Sequence, residues 1–235
     1  MKTDPMYFRH RFPVAIISHC VWLYYRFSLS FRDVEELIAE RGVVVTYETI
    51  RSWCEKFGRS YAKRLHHRSA PSGDQWFLDE VFVRINGRQH ILWRAVDQDG
   101  DVLDILVQSR RNTKAAKRFF RKLLKSQCAV PRVIKTDKLK SYPAAKPAVM
   151  PSVEHRRDKG LNNRAENLHQ PTRQREWHMR RFKSAKHVQR FLSIFEVIGS
   201  YFRVGRPLLS AKNYREWMRR RFSGWADMVR NPAAA

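Results

Sequence analysis

Three acids carry the chemistry this sequence offers: Asp79, Asp137 and Glu166. Asp79 lies inside Trp76-Phe77-Leu78-Asp79-Glu80-Val81-Phe82-Val83, where both alternating faces are mostly large hydrophobes. That pattern predicts a strand buried on both sides. A carboxylate there costs on the order of several kcal/mol unless it is protonated, paired or coordinated to a cation. Asp137 closes the short apolar run Val133-Ile134-Lys135-Thr136, and Glu166 falls in a helix that Asn162 or Asn163 would cap. Three hard oxygen ligands suit Mg²⁺ or Mn²⁺, which keep waters and accept phosphate oxygens in their remaining positions. A pair of such ions can activate an attacking oxygen and stabilise a leaving one in an in-line phosphoryl displacement. Each acid taken singly has a structural alternative. Asp79 could pair with an arginine, Asp137 could cap a turn, and Glu166 could close a capping box with Asn163. Glu80, Asp97, Glu154 and Asp158 compete for the same roles. The argument rests on the joint placement.

Charge names the partner. The 235 residues hold 47 Lys and Arg against 22 Asp and Glu, a formal net charge of +25. That excess points to a polyanion, DNA or RNA. At 43% hydrophobic content the chain can build real cores, which excludes a disordered tail protein. Cys20, Cys54 and Cys128 are odd in number and never at metal-binding spacing, so they read as core thiols of a reducing cytoplasm. There is no long apolar run and no signal-peptide core in the opening residues. The expectation is a cytoplasmic, nucleoid-associated chain with no membrane partner.

The elements that must position the acids follow from periodicity. Residues 14–27 form an apolar helix. Ser30, three residues before Asp33, opens a second helix that ends at Gly42. Thr46 caps a third, with Ile50, Trp53, Cys54 and Phe57 inward and Tyr47, Thr49, Arg51 and Ser52 on the outer face. Two short helices about a glycine turn match the helix-turn-helix pattern, so these four are candidate DNA contacts, although many small bundles share the pattern. Beyond a basic linker the period becomes strand-like. Asn86-Gly87 and Asp99-Gly100 are turns between three antiparallel strands. A helix capped by Asn112 or Thr113 follows, with Phe119, Phe120, Leu123 and Leu124 toward the sheet, then the strand ending at Asp137, an edge strand near 153–155, and the helix of Glu166. Pro171 predicts a kink or a break after Gln170. In the basic tail, Arg173 and Arg175 are candidate phosphate contacts, and apolar stripes from Val188 to Phe202 and from Tyr214 to Met218 read as core or dimer surface.

The runs WFLDEVFVRINGR, LWRAVD, SRRNTKAAKRFF, TDKLKSY and LNNRAENLHQPTRQRE closely resemble bacterial insertion-sequence transposases of the DDE class, specifically the insertion-sequence-six family. The resemblance spans nearly the whole chain, and its one departure is a short interval between Asp137 and Glu166. It implies an α/β RNase H-like catalytic domain with a mixed five-stranded sheet, preceded by an all-α helix-turn-helix domain and followed by C-terminal helices. Asp79, Asp137 and Glu166 would be its catalytic and metal-binding triad, with Mg²⁺ or Mn²⁺ as cofactor. It places Lys138, His155, Lys159, Asn162 and Asn163 around the DNA backbone or the metal. It further implies recognition of terminal inverted repeats and replicative, cointegrate-type strand transfer into target DNA. Acting on two DNA ends calls for a homodimer or larger assembly. The expected boundaries are 1–58 for the helix-turn-helix domain, 59–73 for the linker, 74–182 for the catalytic domain and 183–235 for the basic C-terminal helical region. A structure-selective RNase H-like nuclease or resolvase, and a non-catalytic DNA-binding regulator, are the alternatives.

Overall fold

The computed structural model describes residues 5–68, 72–157, 169–179, 182–203 and 209–230. It divides into a helical unit, Met1–Ser69 with Ile194–Ala235, and a sheet unit, Ala70–Ser193.

In the helical unit, α1 (Val14–Arg26), α2 (Phe31–Ala39) and α3 (Tyr47–Arg68) follow the expected signals. Ser30 Oγ accepts from the Asp33 amide at 3.1 Å while the Asp33 carboxylate accepts from the Ser30 amide at 2.7 Å, a full capping box. Gly42 turns the chain at a φ of 76°, a backbone conformation that glycine adopts without penalty. Where a linker was expected from residue 59, α3 instead continues to Arg68. Two features extend it. Tyr61, Ala62 and Leu65 carry the buried stripe onward at helical spacing, and Gly58 serves as a contact, since a Cβ there would sit 2.7 Å from the Tyr25 ring. The final helix, α8 (Ala211–Arg230), packs within the same unit, so the C-terminal region is not a separate body. Trp225 stacks edge-on against Tyr61 at 5.4 Å, and Phe202 against Trp22 at 5.8 Å. Phe202 and Trp225 are therefore core of this unit rather than free dimer surface.

In the sheet unit, β1 (Gln75–Ile85), β2 (Arg88–Asp97) and β3 (Val102–Gln108) form the antiparallel meander. Asn86 and Gly87, at φ of 48° and 76°, make the first turn. Helix α4 (Thr113–Gln127) is capped by Asn112, which accepts from the Ala115 amide at 3.0 Å. After it, β4 (Val133–Thr136), the short α5 (Ser141–Ala145) and β5 (Glu154–Arg157) complete a five-stranded sheet in the order β3-β2-β1-β4-β5, with β4 parallel to β1 and β5 parallel to β4. This is the expected mixed five-stranded sheet, with β1 at its centre. Trp76, Leu78, Trp93 and Ala95 meet Ala116, Phe119, Phe120 and Leu123 of α4 in one core. Helix α6 (His169–His178) holds Gln170 and Pro171 in its first turn, while the Glu166 stretch, in whose helix Pro171 was expected to make a kink or a break, lies outside the described residues. From α7 (Ala185–Tyr201), Gln189 donates to the Ile105 carbonyl and accepts from the Val107 amide, at 3.1 and 2.7 Å, tying that helix to β3. Cys20 and Cys54 are core thiols as expected, and burial pushes Cys20 up to about 12, but Cys128 is exposed at the left-handed cap of α4.

Candidate metal centre

Parallel pairing of β1 with β4 is what brings distant acids together. The ladder runs to Leu78 opposite Thr136, so the next residues, Asp79 within β1 and Asp137 just past the end of β4, stand at the same level on adjacent strands. Asp79, Glu80 and Asp137 each offer a carboxylate oxygen, and these oxygens lie within 4.8 Å of one another. Two of the three expected acids thus converge. Glu166 lies outside the described residues, as do Lys159, Asn162 and Asn163.

Glu80 joins this cluster although strand alternation points it to the opposite face from Asp79. It stands across the ladder from Trp93, and its side chain is 1% exposed. Burial holds its carboxyl up to about 7, against hydrogen bonds that favour the charged form. Those bonds come from Tyr142, whose hydroxyl donates at 2.7 Å, and from the Arg111 guanidinium. Arg111 also reaches Asp137 at 3.5 Å, so one guanidinium spans two carboxylates. The Tyr142 phenol is raised well above its ordinary range, by burial first and then by Glu80. Asp137 is further fixed by the Leu139 amide at 2.9 Å, an aspartate turn after the strand. The capping role and the cluster role therefore coincide in one residue. On the other side, the register sets Asp79 opposite Arg94, and both are buried, which supplies the arginine neighbour that a buried aspartate would use.

The remaining competitors are accounted for. Asp97 accepts from the Asp99 and Asp101 amides at 2.9 Å each and shapes the β2–β3 turn. Glu154 is exposed on β5 and paired with Arg156 at 2.7 Å, and Asp158 lies outside the described residues. His155 is half-buried against Thr136 at 2.8 Å, and burial lowers its pKa, which favours the neutral ring. Sequence reasoning missed Arg111 and Tyr142. Neither has a local signal, because their partners lie 31 and 62 residues away in the chain. Three carboxylates are a hard-oxygen set that fits a divalent cation, and the guanidinium drawn onto two of them shows that the site attracts positive charge.

Of the expected DNA contacts, Arg51 and Ser52 are exposed on α3, while Tyr47 and Thr49 are half-buried. Arg51 has Glu48 and Glu55 each at 3.5 Å, surface pairs too weak to withhold it from a phosphate. Thr49 bonds the Thr46 hydroxyl at 3.0 Å, and Arg32 lies over the Tyr47 ring. Lys138 and Arg173 are exposed. Arg175 is not: it is 1% exposed, with its guanidinium 5.2 Å from the Phe191 ring, so it serves the core instead of presenting to DNA. Among the described residues no helix is long and apolar enough to cross a membrane.

Residues 73–204 match the family of the DDE domain. The transposase for the insertion sequence-like element IS431mec of Staphylococcus aureus is 30% identical over 186 residues, covering 77% of this chain and 83% of the relative. The transposase for IS257 in transposon Tn4003, also from Staphylococcus aureus, is 29% identical over the same span. Among solved structures, the HTLV-2 integrase catalytic core domain in complex with magnesium aligns at a TM-score of 0.41 and 12% identity, over 62% of this chain and 94% of that one. The catalytic domain of Mos1 mariner transposase aligns at 0.39 and 12% identity, over 73% and 88%.

Proposed function

The chain belongs to the DDE-domain transposases of bacterial insertion sequences, and from that membership we propose that it binds the terminal inverted repeats of its element and catalyses metal-dependent cleavage and transfer of DNA strands, by replicative, cointegrate-type transposition. The observation that supports this reading is the meeting of Asp79 and Asp137 within 4.8 Å, from strands far apart in sequence. Asp79 and Asp137 hold the metal in this reading, and Glu166 is the third ligand by its place in the family motif. Bound there, Mg²⁺ or Mn²⁺ would activate an attacking oxygen and neutralise charge on the phosphate. The chain itself supplies position. Asp79 is fixed by the Glu80 amide at 2.8 Å and Asp137 by the Leu139 amide, so the two carboxylates are oriented before any substrate arrives. Water would be the first nucleophile and the freed 3′ hydroxyl the second, with no covalent enzyme intermediate.

End recognition is assigned to α2 and α3, with Arg51 and Ser52 toward the DNA and Tyr47 and Thr49 shaping the start of α3. Lys138, beside Asp137, and Arg173 contribute phosphate contacts, and Lys159 is assigned the same role from the family motif. The assembly is a homodimer or larger, acting on DNA in the cytoplasm and associated with the nucleoid.

The test is strand transfer of a labelled inverted-repeat end into plasmid with Mg²⁺ or Mn²⁺. Joined product is expected from the wild type and from Glu154→Gln, and not from Asp79→Asn, Asp137→Asn or Glu166→Gln. Cleavage without joining would favour a nuclease or resolvase. End binding with no reaction would favour a regulator. Loss in Glu154→Gln with retention in Glu166→Gln would show the third ligand misassigned.

A further inference from the structure

We propose that Arg111, anchored by Glu80 and Tyr142, occupies the cation position beside Asp137 in the metal-free protein and must leave that carboxylate before a divalent metal binds. The Glu80–Arg111 pair then sets the metal affinity of the site without supplying a ligand to it. This rests on the metal-binding role given above to Asp79 and Asp137.

Glu80 is the acid that geometry alone would add to the ligand set, yet its own chain already engages both of its oxygens. Oε1 meets the Arg111 guanidinium and Oε2 accepts from Tyr142 at 2.7 Å. A cation approaching Oε1 would face a fixed positive charge at contact distance, where Coulomb repulsion is strongest. The two contacts of Arg111 are unequal. Its bond to Glu80 is made to a side chain 1% exposed, whereas Asp137 is 3.5 Å away with a side chain 31% exposed. Contacts to buried partners persist and exposed ones exchange easily, so the link to Asp137 is the one that gives way. Release need not free Arg111 altogether. Glu80 still holds the guanidinium, the ring of the exposed Phe82 lies 5.7 Å from it, and the Ser141 hydroxyl holds the Arg111 carbonyl at 3.4 Å.

The consequence is measurable without DNA. If Arg111 covers Asp137 for about nine-tenths of the time, removing it tightens the apparent metal affinity by about tenfold. Mn²⁺ binding to the full chain, followed by titration calorimetry, would compare wild type, Arg111→Gln, the double variant Glu80→Gln with Arg111→Gln, and Asp137→Asn, with circular dichroism checking that each is folded. Tighter binding by Arg111→Gln and by the double variant is the expected result. The double variant removes both members of the pair and strands no buried carboxylate, so it decides the matter even if Arg111→Gln folds poorly. Double-variant binding equal to wild type, with binding lost in Asp137→Asn, would overturn the Arg111 proposal and leave the metal site standing. Weaker binding in the double variant would make Glu80 a ligand and overturn its anchoring role. If Asp137→Asn binds Mn²⁺ as the wild type does, the metal site itself is wrong and the proposal goes with it.

Discussion

Glu80 carries an unusual load for one side chain: it is buried, flanked by a second acid, and held by a phenol and a guanidinium. Its carboxyl is raised from 4.5 to about 7, so in metal-free protein the folded state keeps a proton that the unfolded chain has lost. Stability from this group is fully present below about pH 4.5 and is lost as pH rises through about 7. Denaturant unfolding in the presence of a chelator should therefore show stability falling across that window in the wild type, and a flatter profile in Glu80→Gln. Tyr142→Phe removes the donor to Glu80 Oε2 while keeping the ring in the core. A loss of about 1–3 kcal/mol is expected near neutral pH, as for other buried acceptors left unpaired, and the same unfolding measurement reads it.

At the scale of elements, α3 shows how packing overrides a local signal. Glycine in a helix interior costs about 1 kcal/mol relative to alanine, so propensity alone says that Gly58→Ala should stabilise. The Tyr25 ring, 2.7 Å from where the new Cβ would stand, says the opposite. A net destabilisation of about 1–3 kcal/mol is expected, the usual range for overpacking, and thermal unfolding of the variant decides which effect wins. The Ser30–Asp33 capping box is a case of agreement: pattern and structure coincide because both bonds span only three residues. The hairpin at Asn86-Gly87 and the Asn112 cap of α4 were legible for the same reason. The end of α3 was hidden in a basic run that reads as a linker, although Tyr61, Ala62 and Leu65 keep the helical spacing. Its last turns are held by residues elsewhere in the helical unit, among them Met228, whose carbonyl accepts from Arg64 at 3.3 Å.

For the whole molecule, the helical unit is built from both ends of the chain. Tyr7 bonds Tyr61 at 2.7 Å and the Val229 carbonyl at 3.3 Å, and Trp225 is buried beside Tyr61. Truncation after residue 208 would uncover that aromatic core. The N-terminal helices should then lose most of their cooperative unfolding, seen as a broadened or lower-temperature transition in circular dichroism. Net charge acts at the same scale. With +25 on 235 residues, DNA affinity should fall steeply with salt, at about 0.9 log units per log unit of salt for each phosphate neutralised. A filter-binding series over salt concentration would give that number, and Arg173→Ala should reduce the slope whereas Arg175→Ala should instead lower stability.

The sequence by itself determined the order of strands and helices, the acid in a buried strand and the acid at a strand end, because each depends on neighbours within a few residues. It also pointed to a polyanionic partner, since charge sums along a chain without reference to its fold. Tertiary structure alone decided which acids meet. Parallel pairing of β1 with β4 sets Asp79 beside Asp137, and the packing of Trp93 and Tyr142 buries Glu80 and turns it toward Arg111. Tertiary contacts elsewhere placed Arg175 in the core of the sheet unit and joined the N-terminal and C-terminal helices in the helical unit. These contacts join residues tens to hundreds of positions apart, and no local period or spacing encodes which distant side chain will fill a given space.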